Sequence, residues 1–242
     1  MLRLVDRDKI LSRLKSLSNQ ENVAGMARFG INPENTYGIS IPDLRRIAKE
    51  LGRNHELALQ LWRSGIHEAR ILASMIDDPQ KVTSSQMERW VGDFDSWDVC
   101  DQCCSNLFDK TALARTKVVE WSSRKEEFVK RAAFALMAAL AAHDKTADDA
   151  QFKRFLRIIS VQSNDERNFV KKAVNWALRG IGKRNSDLNK AAVATANKIQ
   201  EHPSKAARWI ASDALRELTS QAVQHRLNKQ DKAGMADSVL SH

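Results

Sequence analysis

Apolar residues recur three to four positions apart in the segment around Trp176, which is the spacing of one face of an α-helix. The apolar stripe consists of Ala173, Val174, Ala177, Leu178 and Ile181. The opposite stripe carries Lys172, Trp176, Arg179 and Lys183, at positions i, i+4, i+7 and i+11. The segment is therefore predicted to be an amphipathic helix whose polar face is basic and includes an indole.

Similar segments recur along the chain. FVKRAAFALMAAL, from Phe128, is similar to FVKKAVNWALRGI, which starts 41 positions later at Phe169. VKKAVNWALRGIG, from Val170, is similar to ARWIASDALRELT, which starts 37 positions later at Ala207. Both offsets are close to the period of about 40 residues of paired-helix HEAT or armadillo units, which bury their apolar faces by stacking.

The repeats predict an all-α fold, a superhelical solenoid of about six HEAT-like helix pairs with a concave basic groove. Arg131 would be the equivalent of Lys172 one repeat earlier, so the groove would carry a ladder of cations with Trp176 set into it. Such a surface suits a phosphate backbone and a stackable or cationic group. The alternative is that Trp176 is buried against the next repeat.

Composition agrees with a helical domain. The chain has 242 residues, 43% of them hydrophobic, with nine glycines and four prolines. We expect one HEAT-like repeat domain over residues 1–227 and a flexible polar tail over 228–242. The sequence has no run of about 18 uncharged apolar residues that could span a membrane. The N-terminus, MLRLVDRDKI, lacks the apolar core of a signal peptide, so we expect a cytoplasmic protein.

The positive charge is concentrated in one region. The formal net charge is +9, and residues 121–216 hold 19 Lys and Arg against 10 Asp and Glu, so this segment carries the whole excess. Two interpretations are open: a solvated helical surface, or a surface that faces a polyanion.

A second group of candidate residues lies in the segment DFDSWDVCDQCCSNLF. If the segment is helical, Trp97 and Asp101 are one turn apart and share a face. Three cysteines and a leucine then fall on the opposite, apolar face and are predicted to be core residues rather than a zinc site: Cys100, Cys103, Cys104 and Leu107. Asp101 could instead be a local cap or form a salt bridge, and Asp93, Asp95 and Asp98 compete with it for a functional role.

The order of these motifs resembles a known family. SWDVCDQC, then FVKRAAF about thirty residues later, then FVKKAVNWALRGIGK, is similar to the AlkD-type family of DNA alkylation repair proteins, which are HEAT-like-repeat alkylpurine DNA glycosylases. The run YGISIPDLRRIAKEL, residues 37–51, is also similar to a segment of that family, and the resemblance spans roughly residues 20–220. It implies that Trp97, Asp101, Arg131 and Trp176 occupy functional positions.

The resemblance also implies further contacts and an activity. Phe29 falls where active members carry a tyrosine in the lesion cleft, and Arg45 and Arg46 would contact the DNA backbone. The implied reaction is excision of cationic N3- or N7-alkylated purines from duplex DNA without base flipping, since a shallow helical groove offers no pocket for a flipped base. No metal or redox cofactor and no obligate protein partner is expected, so a monomer is predicted. The alternative is a HEAT-repeat module that binds nucleic acid or a protein partner without chemistry.

Overall fold

The computed structural model describes the backbone of residues 7–239 and the side chains of residues 7–232. Over this range the chain forms fourteen α-helices, one short 3-10 turn at Phe108–Lys110 and no β-strand. The helices are α1 (Arg7–Ser16), α2 (Gln20–Arg28), α3 (Ile41–Leu51), α4 (His55–Trp62), α5 (His67–Ile76), α6 (Ser84–Gly92), α7 (Trp97–Asn106), α8 (Ala114–Ser122), α9 (Glu127–His143), α10 (Asp149–Gln162), α11 (Asn168–Gly182), α12 (Ser186–Gln200), α13 (Lys205–Leu218) and α14 (Gln221–Val239). The prediction of an all-α fold is confirmed for the described residues.

Local side chains set where many of these helices begin. At seven helix starts, a polar residue just before the first turn accepts a hydrogen bond from the backbone N–H three positions later, which satisfies one of the exposed donors of that turn. These residues are Asn19, Ser40, Asn54, Thr83, Asp148, Asn185 and Ser204. Polar residues between the apolar runs therefore set the start of half of the fourteen described α-helices.

The chain divides into two compact units, an N-terminal unit that ends at Arg115 and a C-terminal unit that begins at Thr116. In the N-terminal unit, α5 packs against α3, α4 and α7. Its core includes the stacked indoles of Trp62 and Trp90, whose ring centroids are 3.9 Å apart. The single domain predicted over residues 1–227 stays a prediction.

The C-terminal unit is built as two layers of helices. In one layer α11 packs between α9 and α13, and in the other α12 packs against α10 and α14. The three similar sequence segments lie in α9, α11 and α13, so the predicted repeats occupy equivalent places in one layer. Gly182 permits the close approach of α11 to its neighbours, because a Cβ there would lie 2.7 Å from a methyl group of Leu218 and 2.9 Å from Ala192 Cβ.

The ends of the chain are only partly described. Residues 228–239, within the predicted tail, continue α14, and residues 240–242 lie outside the described range, so the flexibility of the tail stays a prediction. Residues 1–6, which belong to the N-terminus predicted to lack a signal peptide, also lie outside it. No helix within residues 7–239 is both long and apolar enough to cross a membrane.

Candidate nucleic-acid and catalytic site

The start of α7 is joined to the segment that follows α2. Ser96, immediately before α7, is fully buried, and its hydroxyl accepts a hydrogen bond of 2.9 Å from the backbone N–H of Asn32. The amide of Asn32 donates to the carboxylate of Asp95 at 3.0 Å. Because of these contacts, the chain between α2 and α3 lies beside the first turn of α7.

This arrangement brings together two of the residues singled out in the sequence. The indole Nε1 of Trp97 donates a hydrogen bond of 3.1 Å to the carbonyl oxygen of Phe29. The indole is half-buried, whereas Phe29 is 75% exposed, which is unusual for a phenylalanine. The exposed ring of Phe29 provides surface on which a nucleobase can stack.

Asp101 lies in the middle of α7, one turn after Trp97, and is also half-buried. Its position inside the helix excludes the alternative that it is a helix cap. Asp is a poor residue for a helix interior, so its presence there is not explained by helix propensity. Trp97 and Asp101 therefore follow one another along α7, as the sequence predicts.

The opposite side of α7 belongs to the core, as predicted. The three cysteines and Leu107 are at most 1% exposed. Burial raises the pKa of the Cys103 and Cys104 thiols well above the ordinary value, which disfavours the thiolate. Within the described residues no group of three or more His, Cys, Asp and Glu side chains is placed to hold a metal ion.

The three competing carboxylates each have a structural partner. Asp93 accepts a hydrogen bond of 2.8 Å from the indole Nε1 of Trp62. Asp95 is bonded to Asn32, and Asp98 Oδ2 lies 2.9 Å from Nε2 of His67. These contacts give the three acids roles in holding the N-terminal unit together, and a functional role of Asp101 stays a prediction.

A pocket of about 840 Å³ adjoins Trp97 and Phe29 within the N-terminal unit. Its walls are largely apolar and include Met26, Ile31, Ile39, Ile41 and Ile71, and its polar lining includes His67, Asp98 and Gln102. The expectation that a shallow helical groove offers no pocket is therefore wrong for this unit. The cause is that α2 and the following segment stand beside α5 and α7, a packing that a repeat pattern does not reveal.

The face of α11 that carries Trp176 has less net positive charge than the sequence of α11 alone predicts. All five residues of the predicted apolar stripe are at most 1% exposed, whereas Lys172 is exposed and Trp176 is half-buried. Arg179 Nη1 and Lys183 Nζ lie 2.7 and 2.6 Å from the carboxylate of Glu217 on α13. Desolvation raises the pKa of Glu217, but the hydrogen bond from Lys183 and the charges of both cations more than offset it, so the net pKa is lowered. The two cations nearer the end of α11 are thus largely neutralised.

Arg131 differs from its repeat equivalent Lys172, because it is only 5% exposed. Its Nη1 donates a hydrogen bond of 2.6 Å to the carbonyl oxygen of Phe169, at the start of α11. The neighbouring Lys130 forms a buried ion pair of 2.9 Å with Asp165. Arg131 therefore joins α9 to the first turn of α11, and Lys130 joins α9 to the loop before α11. A contact from Arg131 to phosphate stays a prediction.

The sequence matches a described family over most of its length. The model of the DNA alkylation repair enzyme family matches residues 10–218. The chain belongs to this family. An uncharacterized protein of Listeria innocua is 22% identical over 200 residues, covering 81% of this chain and 87% of the relative. An uncharacterized protein of Listeria monocytogenes is 29% identical over 90 residues, 36% of this chain and 40% of the relative.

A solved structure shares the fold of this DNA alkylation repair family member. It is described as a new family of proteins related to the HEAT-like repeat DNA glycosylases with affinity for branched DNA structures. The TM-score is 0.73 at 18% identity, over 88% of this chain and 95% of that one. This likeness confirms the predicted HEAT-like helical fold, and the family match confirms the resemblance found in the sequence.

The remaining predicted contacts of this family member lie on α3. Arg45 and Arg46 are both exposed. Arg46 Nη2 lies 2.9 Å from Asp43 on the same helix, whereas Arg45 has no ion-pair partner among the described residues. Exposure permits a contact with a DNA backbone, which stays a prediction for both.

Sequence reasoning missed two polar groups that shape the N-terminal part of the site. The first is the pair of His67 and Asp98. Burial lowers the pKa of His67, but the hydrogen bond and charge of Asp98 outweigh burial and raise it overall. The second is Glu68, which is 1% exposed and accepts hydrogen bonds from the backbone N–H groups of residues 37, 38 and 39. These partners are about thirty residues apart in the sequence, so no spacing pattern indicates them.

The loop of residues 37–39, whose N–H groups donate to Glu68, requires glycine at position 38. Gly38 has φ +75°, which L side chains rarely adopt, and a Cβ there would lie 2.3 Å from the carbonyl oxygen of Asn19. With the N–H groups of this loop bonded to Glu68, the loop is held between α2 and α5 and lines the pocket beside Trp97.

Proposed function

We propose that the protein is a DNA glycosylase that hydrolyses the N-glycosidic bond of positively charged N3- or N7-alkylated purines in duplex DNA. Asp101, Trp97 and Trp176 act on the damaged nucleotide, and Arg131 binds a flanking phosphate. Lys172, Arg179, Lys183, Arg45 and Arg46 supply further contacts to the DNA backbone, and Phe29 lies against the lesion.

The chemistry follows from the charge of the lesion. When the bond between C1′ and the purine breaks, the electron pair leaves with the purine, which loses its positive charge. Positive charge develops on the sugar as in other glycoside hydrolyses. A fixed carboxylate beside the sugar stabilises that charge and orients the water that adds at C1′, and the water proton passes to the carboxylate or to solvent. Asp101 has this role in the proposal.

The two indoles have a complementary role. A cation over the face of an indole is attracted by about 0.5–2 kcal/mol, more when water is excluded. Trp97 and Trp176 would therefore bind the cationic lesion and the developing sugar cation more strongly than a neutral nucleotide. The leaving group supplies its own activation, so the proposed reaction needs no metal or redox cofactor.

One observation carries the proposal: a partly exposed indole and a carboxylate follow one another by one helical turn on α7, in a chain of the DNA alkylation repair enzyme family. Helix propensity does not account for an aspartate at position 101 in the interior of α7. Catalysis by this pair and the participation of Trp176 are both parts of the proposal.

The experiment is incubation of the full chain with methylated duplex DNA, followed by chromatography of the released bases. The expected product is free 7-methylguanine together with 3-methyladenine, with unmodified guanine and adenine retained in the DNA. Heat-denatured protein is the control for spontaneous depurination. Release equal to that control would contradict the proposed activity.

The proposed excision occurs without base flipping. The pocket beside Trp97 is the place in the N-terminal unit where entry of a flipped base can be tested. 2-Aminopurine placed next to a stable cationic lesion analogue reports unstacking as an increase in fluorescence. We expect no increase on binding. A large increase that Met26→Trp abolishes by filling the pocket would show that a base enters it.

A second candidate function is DNA binding without chemistry. Two observations favour it: the structural neighbour is described by its affinity for branched DNA, and two of the three cations on the α11 face are paired with Glu217. This function predicts salt-dependent binding of branched over linear duplex DNA and no released base. The chromatography above separates it from the glycosylase.

A further inference from the structure

A groove between α10 and α12 lies in the second helix layer of the C-terminal unit, away from the α11 residues of the proposed site. It has a volume of about 470 Å³, within the range of about 300–1,000 Å³ of pockets that hold small ligands. One face of α10 and one face of α12 form its walls. We call it the α10–α12 groove.

The charged residues that line the α10–α12 groove are all cations. Lys153 and Arg157 are one turn apart on α10, about 6 Å along the helix, and Lys198 faces them from α12. All three are exposed, and none has an ion-pair partner among the described residues. This differs from Arg179 and Lys183 on α11, which are paired with Glu217. The groove therefore keeps an uncompensated positive charge.

The floor of the same groove is apolar. Leu156 and Ala191 contribute to it, and Val161, one turn beyond Arg157, is 71% exposed. An exposed β-branched apolar residue beside a pocket gains free energy when a partner covers it. The groove thus combines an apolar floor with three cations at its edge.

We propose that the α10–α12 groove binds an acidic peptide segment of a partner protein, one that carries an apolar side chain beside several carboxylates. The carboxylates would pair with Lys153, Arg157 and Lys198, while the apolar side chain would cover Val161 and Leu156. A DNA backbone matches this groove less well, because phosphates and sugars offer no large apolar group for the floor. The proposal concerns a surface other than the glycosylase site and does not depend on the activity proposed there.

The test measures binding of a fluorescent probe peptide, four aspartates followed by leucine and phenylalanine, to the full chain by fluorescence anisotropy. Two further peptides separate the contributions: one with asparagine in place of every aspartate, and one with serine in place of leucine and phenylalanine. We expect each change to weaken binding at least about tenfold, because charge and apolar burial are both required.

Variants locate the peptide in the groove. The double variant Lys153→Glu, Arg157→Glu is expected to weaken binding of the probe at least about tenfold, and Val161→Ser about threefold. Arg154→Glu is the matched control, because Arg154 is an exposed cation on the same helix that does not line the groove. It should leave the affinity within about twofold of the unchanged chain. Circular dichroism establishes that all variants retain their helices.

Three results would overturn the proposal. The first is equal affinity for the probe and for the peptide with serine in place of leucine and phenylalanine. That result would mean that the groove attracts negative charge without using its apolar floor. The second is equal weakening by Arg154→Glu and by the double variant. The third is displacement of the probe by a DNA duplex of 20 base pairs, together with weaker binding of that duplex by the double variant and by Val161→Ser. That result would assign the groove to DNA.

Discussion

α7 and α11 each carry a partly exposed tryptophan with a charged residue one turn away, yet their surroundings differ. Beside α7, polar side chains are buried and joined in pairs, such as His67 with Asp98. On α11, the charges are at the surface and pair with acids of α13, such as Arg179 with Glu217. Buried pairs fix geometry and cost much to break, whereas surface pairs contribute little and can exchange partners. Under the proposed function, α7 would supply a fixed catalytic geometry and α11 an adaptable contact with DNA.

The largest expected effect concerns the buried framework near α7. Glu68→Ala should lower the free energy of unfolding by about 3 kcal/mol, because it leaves the backbone N–H groups of residues 37–39 buried without an acceptor. Urea denaturation measures the change. Glu56→Ala is the control, since Glu56 is exposed in the first turn of α4. Equal stability of the two variants would contradict a fixed framework.

A second prediction uses the pH dependence of the His67 and Asp98 pair. His67 has a raised pKa when folded, so its charged pair stabilises fully below its ordinary pKa of 6.5, and this is lost as the pH rises through the raised value. His67→Gln should therefore cost about 2 kcal/mol at pH 5.5 and less at pH 8.5, measured by urea denaturation at both values. A cost that is independent of pH, or greater at pH 8.5, would mean that the pair does not depend on a charged histidine.

The third prediction compares Trp176 with a buried indole of the same unit. Trp176→Ala should reduce base release about tenfold through the lost attraction of a cation to the ring, with a modest fall in melting temperature. Trp121→Ala is the reference, because Trp121 is fully buried and its loss should cost about 3–5 kcal/mol of stability. If Trp176→Ala destabilises the protein as much as Trp121→Ala, Trp176 is a core residue.

The smallest effect tests the surface pairs of α11. Glu217→Gln removes the carboxylate that Arg179 and Lys183 share and leaves Arg179 only the more distant Asp213, at 3.6 Å. Affinity for duplex DNA at low salt should therefore rise about threefold and depend more steeply on salt. Stability should fall by less than about 1 kcal/mol. Asp187→Asn, which breaks an exposed pair with Lys190 on α12, is the matched control. An affinity that stays the same in both variants would remove these cations from the DNA contact.

The sequence predicts the parts of this molecule that depend on local pattern. Helical spacing places Ala173 to Ile181 in the core, and the offsets of 41 and 37 place three similar segments in one layer. The same reasoning places Cys100, Cys103 and Cys104 on the buried side of α7. Each of these predictions needs only the period of a helix and the burial of apolar residues.

The parts that escape prediction depend on partners distant in sequence. The ladder of cations looks uniform along α11, but Glu217 lies 38 positions after Arg179 and neutralises it. Arg131 and Lys172 are equivalent in the repeat and differ in exposure, because Arg131 bonds to the carbonyl of Phe169. The pocket beside Trp97 is lined by residues from α2, from the segment that follows it, from α5 and from α7, a combination that no single-helix pattern contains.

The most direct test of the central claim measures release of 7-methylguanine from methylated duplex DNA by two variants of α7, Asp101→Asn and Asp98→Asn. We predict that Asp101→Asn reduces release by about a hundredfold or more while DNA affinity stays similar or rises slightly. Asp98→Asn should lower the melting temperature and retain release at temperatures where the protein is folded. Release by Asp101→Asn at the rate of the unchanged chain would contradict the claim that this carboxylate carries the reaction.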